Sequence, residues 1–172
     1  MANILILDGA SRKNGNTAQL VKAFSEGASG AGNHVREFYL QDMGIRGCLG
    51  CERCSSMKED IDNPCIQNDD MAEIYKAFMT ANVVVFASPL CFWIISRPLK
   101  TATDRLYAML WYLGYHEFPK RSVLLMTAGG NDYGQAVRCY ETFERNLGWT
   151  NLGEILGSGK AAEARRLGAA IR

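Results

Sequence analysis

Three uninterrupted apolar runs constrain how this 172-residue chain can fold. Ile4-Leu-Ile-Leu7, Val83-Val-Val-Phe-Ala87 and Val123-Leu-Leu-Met126 contain no polar residue. A strand with one wet face alternates polar and apolar residues; a strand covered on both faces does not. These runs, with weaker ones, predict strands at 3–8, 34–40, 82–87, 122–127 and 150–156, the third stopped by Ser88-Pro89. Between them runs a helical period. It passes through Thr17, Leu20, Val21, Phe24 and Ala28, ending near Gly30 and Gly32. It returns, from a start at Asp69-Asp70, at Met71, Ile74, Tyr75, Phe78 and Met79. Behind Pro98 one further helix is expected through Leu99, Ala102, Leu106, Met109 and Leu110. Ala136, Tyr140, Phe143 and Leu147 mark another, and Ala164, Leu167, Gly168 and Ile171 the last. Strands alternating with helices predict an α/β three-layer αβα sandwich around a five-stranded parallel sheet. The expected order is 2-1-3-4-5, in a single domain over 1–172, with a cysteine-bearing insertion at about 41–68.

The charge balance narrows the partners. Nineteen Lys and Arg against eighteen Asp and Glu give a net charge of +1, without the basic excess of a nucleic-acid binder. No apolar run approaches the ~18 residues of a membrane span. The chain opens directly into a strand with no basic region ahead of it, so a signal peptide is not expected and a cytoplasmic location is. Six cysteines in a reducing compartment point to metal, redox chemistry or free thiols rather than a disulfide framework.

In open α/β sheets ligands bind beyond the carboxyl ends of the strands. Three loops there are informative. Gly9-Ala-Ser-Arg-Lys-Asn-Gly-Asn-Thr17 leads into the first helix, where N–H groups and the helix dipole favour an anion. Ser11, Asn16 and Thr17 can donate to it and Arg12 adds charge. The loop is neither a Walker loop nor Gly-x-Gly-x-x-Gly, and its plainer reading is a helix cap by Asn14 or Asn16. Ser88-Pro-Leu-Cys-Phe-Trp-Ile-Ile-Ser96 is apolar and aromatic and can wall a flat ring; alternatively Phe92 and Trp93 are core or a dimer contact. Thr127-Ala-Gly-Gly-Asn-Asp-Tyr-Gly134 has glycines that admit close backbone approach.

Taken together, these loops resemble those of the NADPH-dependent FMN reductases of the flavodoxin-like superfamily, and most of all the branch that includes the iron–sulfur flavoproteins. The shared elements are Gly9 to Thr17, Cys48-x-x-Cys51-x-x-Cys54, Cys65-Ile-Gln-Asn-Asp-Asp-Met71, Ser88-Pro89, Lys100-Thr-Ala-Thr-Asp-Arg105 and Thr127-Ala-Gly-Gly130. The resemblance implies a flavodoxin-like fold and bound FMN. Ser11, Arg12, Asn14, Asn16 and Thr17 would hold the phosphate. Pro89, Leu90, Cys91, Phe92 and Trp93 would flank the ring. Thr127, Ala128, Gly129 and Gly130, with Tyr133, would close the far side. It further implies an NAD(P)H-dependent oxidoreductase, with a quinone, a flavin or a similar small molecule as acceptor, no side-chain catalyst, and assembly as a homodimer or homotetramer. Two positions depart from the family pattern. Ala10 stands where a serine is usual, and Cys91 where a tyrosine is usual.

Three readings of the cysteines stay open. Cys48, Cys51, Cys54 and Cys65 can hold a [4Fe–4S] cluster, as in the iron–sulfur flavoproteins, which would make this an electron-transfer protein served by a ferredoxin. They can hold zinc, although zinc sites usually pair cysteines two and two. They can also be reduced thiols in a loop. Asp104 and Arg105 are expected in structural ion pairing, and His34 and His116 as solvated or hydrogen-bonded. Trp111 and Tyr112, with Phe92 and Trp93, suggest exposed aromatic surface suited to a dimer. A non-enzymatic binding module of the same fold is the remaining alternative.

Overall fold

The computed structural model describes residues 1–56, 62–114 and 118–172, with the side chain of Tyr112 left out. His116 and part of the insertion, residues 57–61, thus lie outside the described residues. The elements in chain order begin with β1 (Asn3–Asp8), α1 (Asn16–Gly30), β2 (His34–Tyr39), α2 (Met71–Thr80) and β3 (Val83–Cys91). They continue with β4 (Ile94–Ile95), α3 (Arg97–Arg105), α4 (Tyr107–Leu113), β5 (Arg121–Thr127), α5 (Gly134–Leu147), β6 (Thr150–Leu156) and α6 (Ala161–Ala170). The parallel strands lie in the order β2-β1-β3-β5-β6, which is the expected 2-1-3-4-5 of a flavodoxin-like sheet, and the two-residue β4 pairs antiparallel with the end of β3.

Residue alternation along the apolar runs builds two cores. Leu5, Leu7, Val84, Phe86, Leu124 and Met126 face one side, beneath α2 to α5. Ile4, Ile6, Val83, Val85, Val123 and Leu125 face the other, beneath α1 and α6. On that second side two glycines let helices meet backbone to backbone. A Cβ on Gly27 would lie 2.1 Å from the Arg165 carbonyl oxygen, and one on Gly168 2.2 Å from that of Phe24.

Two expectations need correction. β3 does not stop at Ser88-Pro89 but runs on to Cys91. Pro89 is tolerated in the ladder with β5, opposite Thr127, because it lies at the strand's end, beyond the central pairing. The helix expected behind Pro98 is two helices, parted at Leu106. Leu99, Ala102, Leu106 and Met109 nevertheless form one buried stripe. Among the described residues no helix is long and apolar enough to cross a membrane.

Candidate functional site

The parallel register brings the ends of β1, β3 and β5 to one edge, with Asp8 opposite Ala87 and Pro89 opposite Thr127. The three loops therefore leave the sheet side by side. Hydrogen bonds then tie them together. The Thr17 and Thr127 hydroxyls, both buried, bond at 2.7 Å and join the first loop to the third. The Ser96 hydroxyl donates to the Gly9 carbonyl at 2.8 Å, and the Ser96 N–H donates to the Ser88 hydroxyl at 2.7 Å, joining the first to the second. Ser88 belongs to the Ser88-Pro89 element of the resemblance, but neither serine's hydrogen bonds are readable from sequence, and the bond from Ser96 to Gly9 spans 87 positions. Gly9 is required where it stands, since a Cβ would meet the Ser96 Oγ at 2.6 Å and the Leu99 Cβ at 2.8 Å.

In the first loop, Gly15 rather than Asn14 or Asn16 is the N-cap of α1, and no side chain caps the helix. The plainer reading of the loop is thus set aside, and the first-turn N–H groups are left for another acceptor. Ser11, Arg12, Asn14 and Asn16 are exposed around that turn; Thr17 is buried and engaged with Thr127. Ala10, in the slot usual for serine, is buried, and its N–H donates to the Asp8 carboxylate at 2.9 Å. Asp8 is 2% exposed, and its hydrogen bond among the described residues is the one from the Ala10 N–H. Burial pushes its carboxyl up to about 6, with the charge of Glu37 adding to the rise and the Ala10 N–H opposing it. A cleft of about 700 Å³ opens on the β2 side of this loop, lined in part by Asp8, Lys13, Asn14, Lys22 and Glu37. Its Lys13 is already paired with Asp42.

The second loop is a hairpin. Leu90 pairs with Ile95 and Cys91 with Ile94, leaving Phe92 and Trp93 as a two-residue turn. Both are left-handed, with φ of 52° and 65°. That is the primed turn that normally selects Asn-Gly. Neither ring is core: Phe92 is 90% and Trp93 56% exposed, and the two pack edge to face with centroids 5.1 Å apart. Pro89 and Leu90 are half-buried and Cys91 is exposed. In the third loop Ala128 is half-buried, and Gly129 and Gly130 are exposed with open space where a Cβ would stand. Tyr133 is buried and its hydroxyl has no partner among the described residues. Uncapped helix-turn donors therefore stand at one end of the rim, and at the other lies a buried hydroxyl without a partner among the described residues. This arrangement fits a ligand with an anionic tail and a hydrogen-bonding ring.

The cysteine segment sits beyond the same edge but is anchored differently. Arg105, its side chain 1% exposed, forks onto the Asp69 carboxylate at 2.8 and 3.2 Å and donates to the Arg46 carbonyl at 2.8 Å. Burial alone would raise the Asp69 carboxyl; the Arg105 guanidinium and the Arg46 and Met71 N–H groups outweigh it and hold it below its ordinary value. Asp70 accepts from the Gly44 N–H at 2.7 Å, and Gln67 donates to the Gly47 carbonyl at 3.0 Å. Asp104 pairs instead with Lys100, one turn back along α3. So Asp104 and Arg105 both pair structurally, but with different partners.

All six cysteines are free. Cys48, Cys51, Cys54 and Cys65 line one pocket of about 150 Å³ together with Arg105. Burial pushes the Cys54 thiol up, and the neighbouring Cys65, Cys48 and Cys51 add to it. Between the cysteines, Glu52 is held left-handed at φ 55°, a strained state for a residue with a side chain. Among the described residues no three His, Cys, Asp or Glu side chains are placed to hold a single metal ion. The thiols are therefore not posed as a zinc site.

Sheet order and rim define the class of protein first: a flavodoxin-like α/β domain whose ligand edge is built from three loops. The chain belongs to the NADPH-dependent FMN reductase family, whose profile matches residues 2–157. An iron-sulfur flavoprotein of Archaeoglobus fulgidus is 29% identical over 98 residues, which is 57% of this chain and 42% of that protein. One of Methanocaldococcus jannaschii is 35% identical over 79 residues, 46% of this chain and 38% of that protein. The match thus spans less than half the length of these curated relatives. Among solved structures, an NAD(P)H:quinone oxidoreductase from Methanothermobacter marburgensis has a TM-score of 0.77 at 19% identity and covers 99% of each chain. An azoreductase from Bacillus anthracis has a TM-score of 0.67 at 18% identity, over 98% of this chain and 95% of that one. At such identities the likeness is one of fold.

Proposed function

We propose that this protein is an FMN-dependent NAD(P)H oxidoreductase that passes electrons to a quinone, a flavin or a similar small acceptor. The observation that carries the reading is the side-chain-free N-terminus of α1, tied by the Thr17–Thr127 bond to a third loop of open glycines. When bound, FMN supplies the hydride and electron chemistry, and the protein supplies binding and orientation. The first-turn N–H groups, with Ser11, Arg12, Asn14 and Asn16, receive the phosphate. Of two hydroxyls sharing one hydrogen bond, one proton stays free, so the Thr17–Thr127 pair donates as well. Pro89, Leu90 and Cys91 run along the ring edge, and Phe92 and Trp93 stand over the site from the hairpin tip. Ala128, Gly129 and Gly130 close the far side, with the Tyr133 hydroxyl as a donor in search of an acceptor. The exposed aromatics of the hairpin, with Trp111, suit a homodimer or homotetramer, in a cytoplasmic setting.

The test is titration of the purified protein with FMN, then anaerobic reduction by NADPH and reoxidation by a quinone. The expected results are stoichiometric FMN binding and a ping-pong pattern. Arg12→Ala should weaken FMN binding about tenfold, the effect of losing about 1.4 kcal/mol from a charge-assisted contact. A protein that ignores added FMN overturns the reading.

A second reading is favoured by the pocket that Cys48, Cys51, Cys54 and Cys65 line together. A [4Fe–4S] cluster spreads its ligand sulfurs wider than a single ion does, so four thiols around a pocket suit it although they suit no lone metal. The protein would then serve in electron transfer with a ferredoxin. Anaerobic purification followed by iron and sulfide analysis tests it, and absence of both after reconstitution overturns it.

A further inference from the structure

The Arg105 guanidinium has one nitrogen left without a partner among the described residues. Its two terminal nitrogens are taken by Asp69 and the Arg46 carbonyl. Its Nε–H is buried and has no partner among the described residues. A buried donor without an acceptor is costly, and buried polar groups in folded proteins are otherwise paired. The same side chain lines the pocket of the four cysteines, and negative charge at Cys65 favours its cationic form. A neutral thiol is a poor acceptor for that proton. A metal-bound thiolate or a cluster sulfide carries negative charge and is a good one.

We infer that the Arg105 Nε–H donates to a sulfur of an iron–sulfur cluster held by Cys48, Cys51, Cys54 and Cys65 and raises its reduction potential. The inference rests on the second reading above. Reduction adds one electron to the cluster, and a hydrogen bond to its sulfur stabilises the more negative state. Asp69 acts in the opposite direction: its carboxylate offsets the guanidinium charge beside the same pocket.

The experiment compares the wild-type protein, Arg105→Lys and Asp69→Asn after anaerobic reconstitution with ferrous iron and sulfide. Iron and sulfide content and circular dichroism are measured first. A dithionite titration followed by electron paramagnetic resonance then gives the potential. Lysine keeps the charge and can reach Asp69 but lacks the Nε–H. The expected result is an unchanged iron and sulfide content with about a tenfold fall in reduced over oxidised cluster at a fixed potential, about 59 mV for one electron. Asp69→Asn keeps the Nε–H and removes a negative charge, so its potential should rise. A purely structural role would loosen the segment in both variants and move both the same way. A filled cluster with unchanged potential in Arg105→Lys, or loss of the cluster from both variants, overturns the inference and leaves the cluster reading standing. If Arg105→Lys does not fold, the Asp69→Asn potential decides, and an unchanged or lowered value overturns the inference. No iron or sulfide in the wild-type protein overturns both.

Discussion

Asp8 and Asp69 are both buried carboxylates beyond or at the carboxyl edge of the sheet, and their surroundings push them in opposite directions. Asp8, under the first loop, has one backbone N–H and the like charge of Glu37, and its carboxyl is pushed up to about 6. Asp69, under the cysteine segment, has a forked guanidinium and two backbone N–H groups and is held low. The cysteine segment is thus locked by a charge pair. The three-loop rim is locked by hydroxyls and by the sheet, and tolerates a carboxylate that the fold does not neutralise. The difference shows two ways to hold a loop without secondary structure: one long-range ion pair, or strand ends already fixed in register.

The largest expected effect comes from breaking the lock on the cysteine segment. Asp69→Ala leaves the Arg105 cation buried without its partner, which typically costs about 3–5 kcal/mol. Urea unfolding should show that loss, and the thiols of Cys54 and Cys65 should react faster with an alkylating reagent. An effect below about 1 kcal/mol would mean that the Arg46 carbonyl and solvent suffice to hold Arg105.

The counterpart on the rim should behave with the opposite sign. A carboxyl at about 6 in the folded state and 3.8 unfolded binds more protons when folded. Folding stability therefore falls as pH rises between those values, by about 3 kcal/mol in all, and stays lower above them. Asp8→Asn retains an acceptor for the Ala10 N–H and carries no charge. It should be about 3 kcal/mol more stable than wild type at pH 7, and the gain should vanish below about pH 4. A gain independent of pH would show that packing, not charge, is at issue. Asp69, held low, contributes stability that is present above its unfolded value and lost as pH falls through the acid range, so the two carboxylates separate in an acid titration.

A smaller effect tests whether hydroxyls hold the rim together. Thr17→Val leaves the Thr127 hydroxyl buried and unpaired, at a cost of about 2 kcal/mol. Replacing both with Val removes donor and acceptor together and should cost less than the single change, a coupling readable in a double-mutant cycle. On the proposed function FMN affinity should fall in all three variants, because the pair links the first loop to the third.

The parts of this molecule that could be read from sequence are those where one local pattern decides. Val83 to Ala87 admits no wet face, which makes it a central strand, whereas the strand order is an expectation of the fold class and not of the apolar runs. The rim loops were legible for the same reason, since a strand end fixes where its loop begins. Other features carry no local signature. Asp69 and Arg105 lie in separate elements, and nothing near either announces the other. Nothing near Ser96 foretells that its hydroxyl binds the Gly9 carbonyl while its N–H binds the Ser88 hydroxyl. The continuation of β3 through Pro89 runs against the usual meaning of proline, and the hairpin beyond it turns on Phe-Trp, a pair with no turn preference.

That hairpin sets the smallest expected effect and the most direct link between strain and function at the rim. Phe92 and Trp93 occupy left-handed backbone at φ 52° and 65°, where a side chain with a Cβ costs about 1 kcal/mol. Both rings are left in solvent, so packing within the chain does not repay that cost. Phe92→Asn with Trp93→Gly restores the residues that a primed two-residue turn prefers. The double variant should therefore gain about 1 kcal/mol in urea unfolding while binding FMN more weakly, as followed by quenching of flavin fluorescence. A gain in stability with unchanged FMN affinity would separate the rings from the flavin and leave subunit association as their use. A loss of stability would mean that the edge-to-face contact between the two rings already outweighs the strain of the turn that presents them.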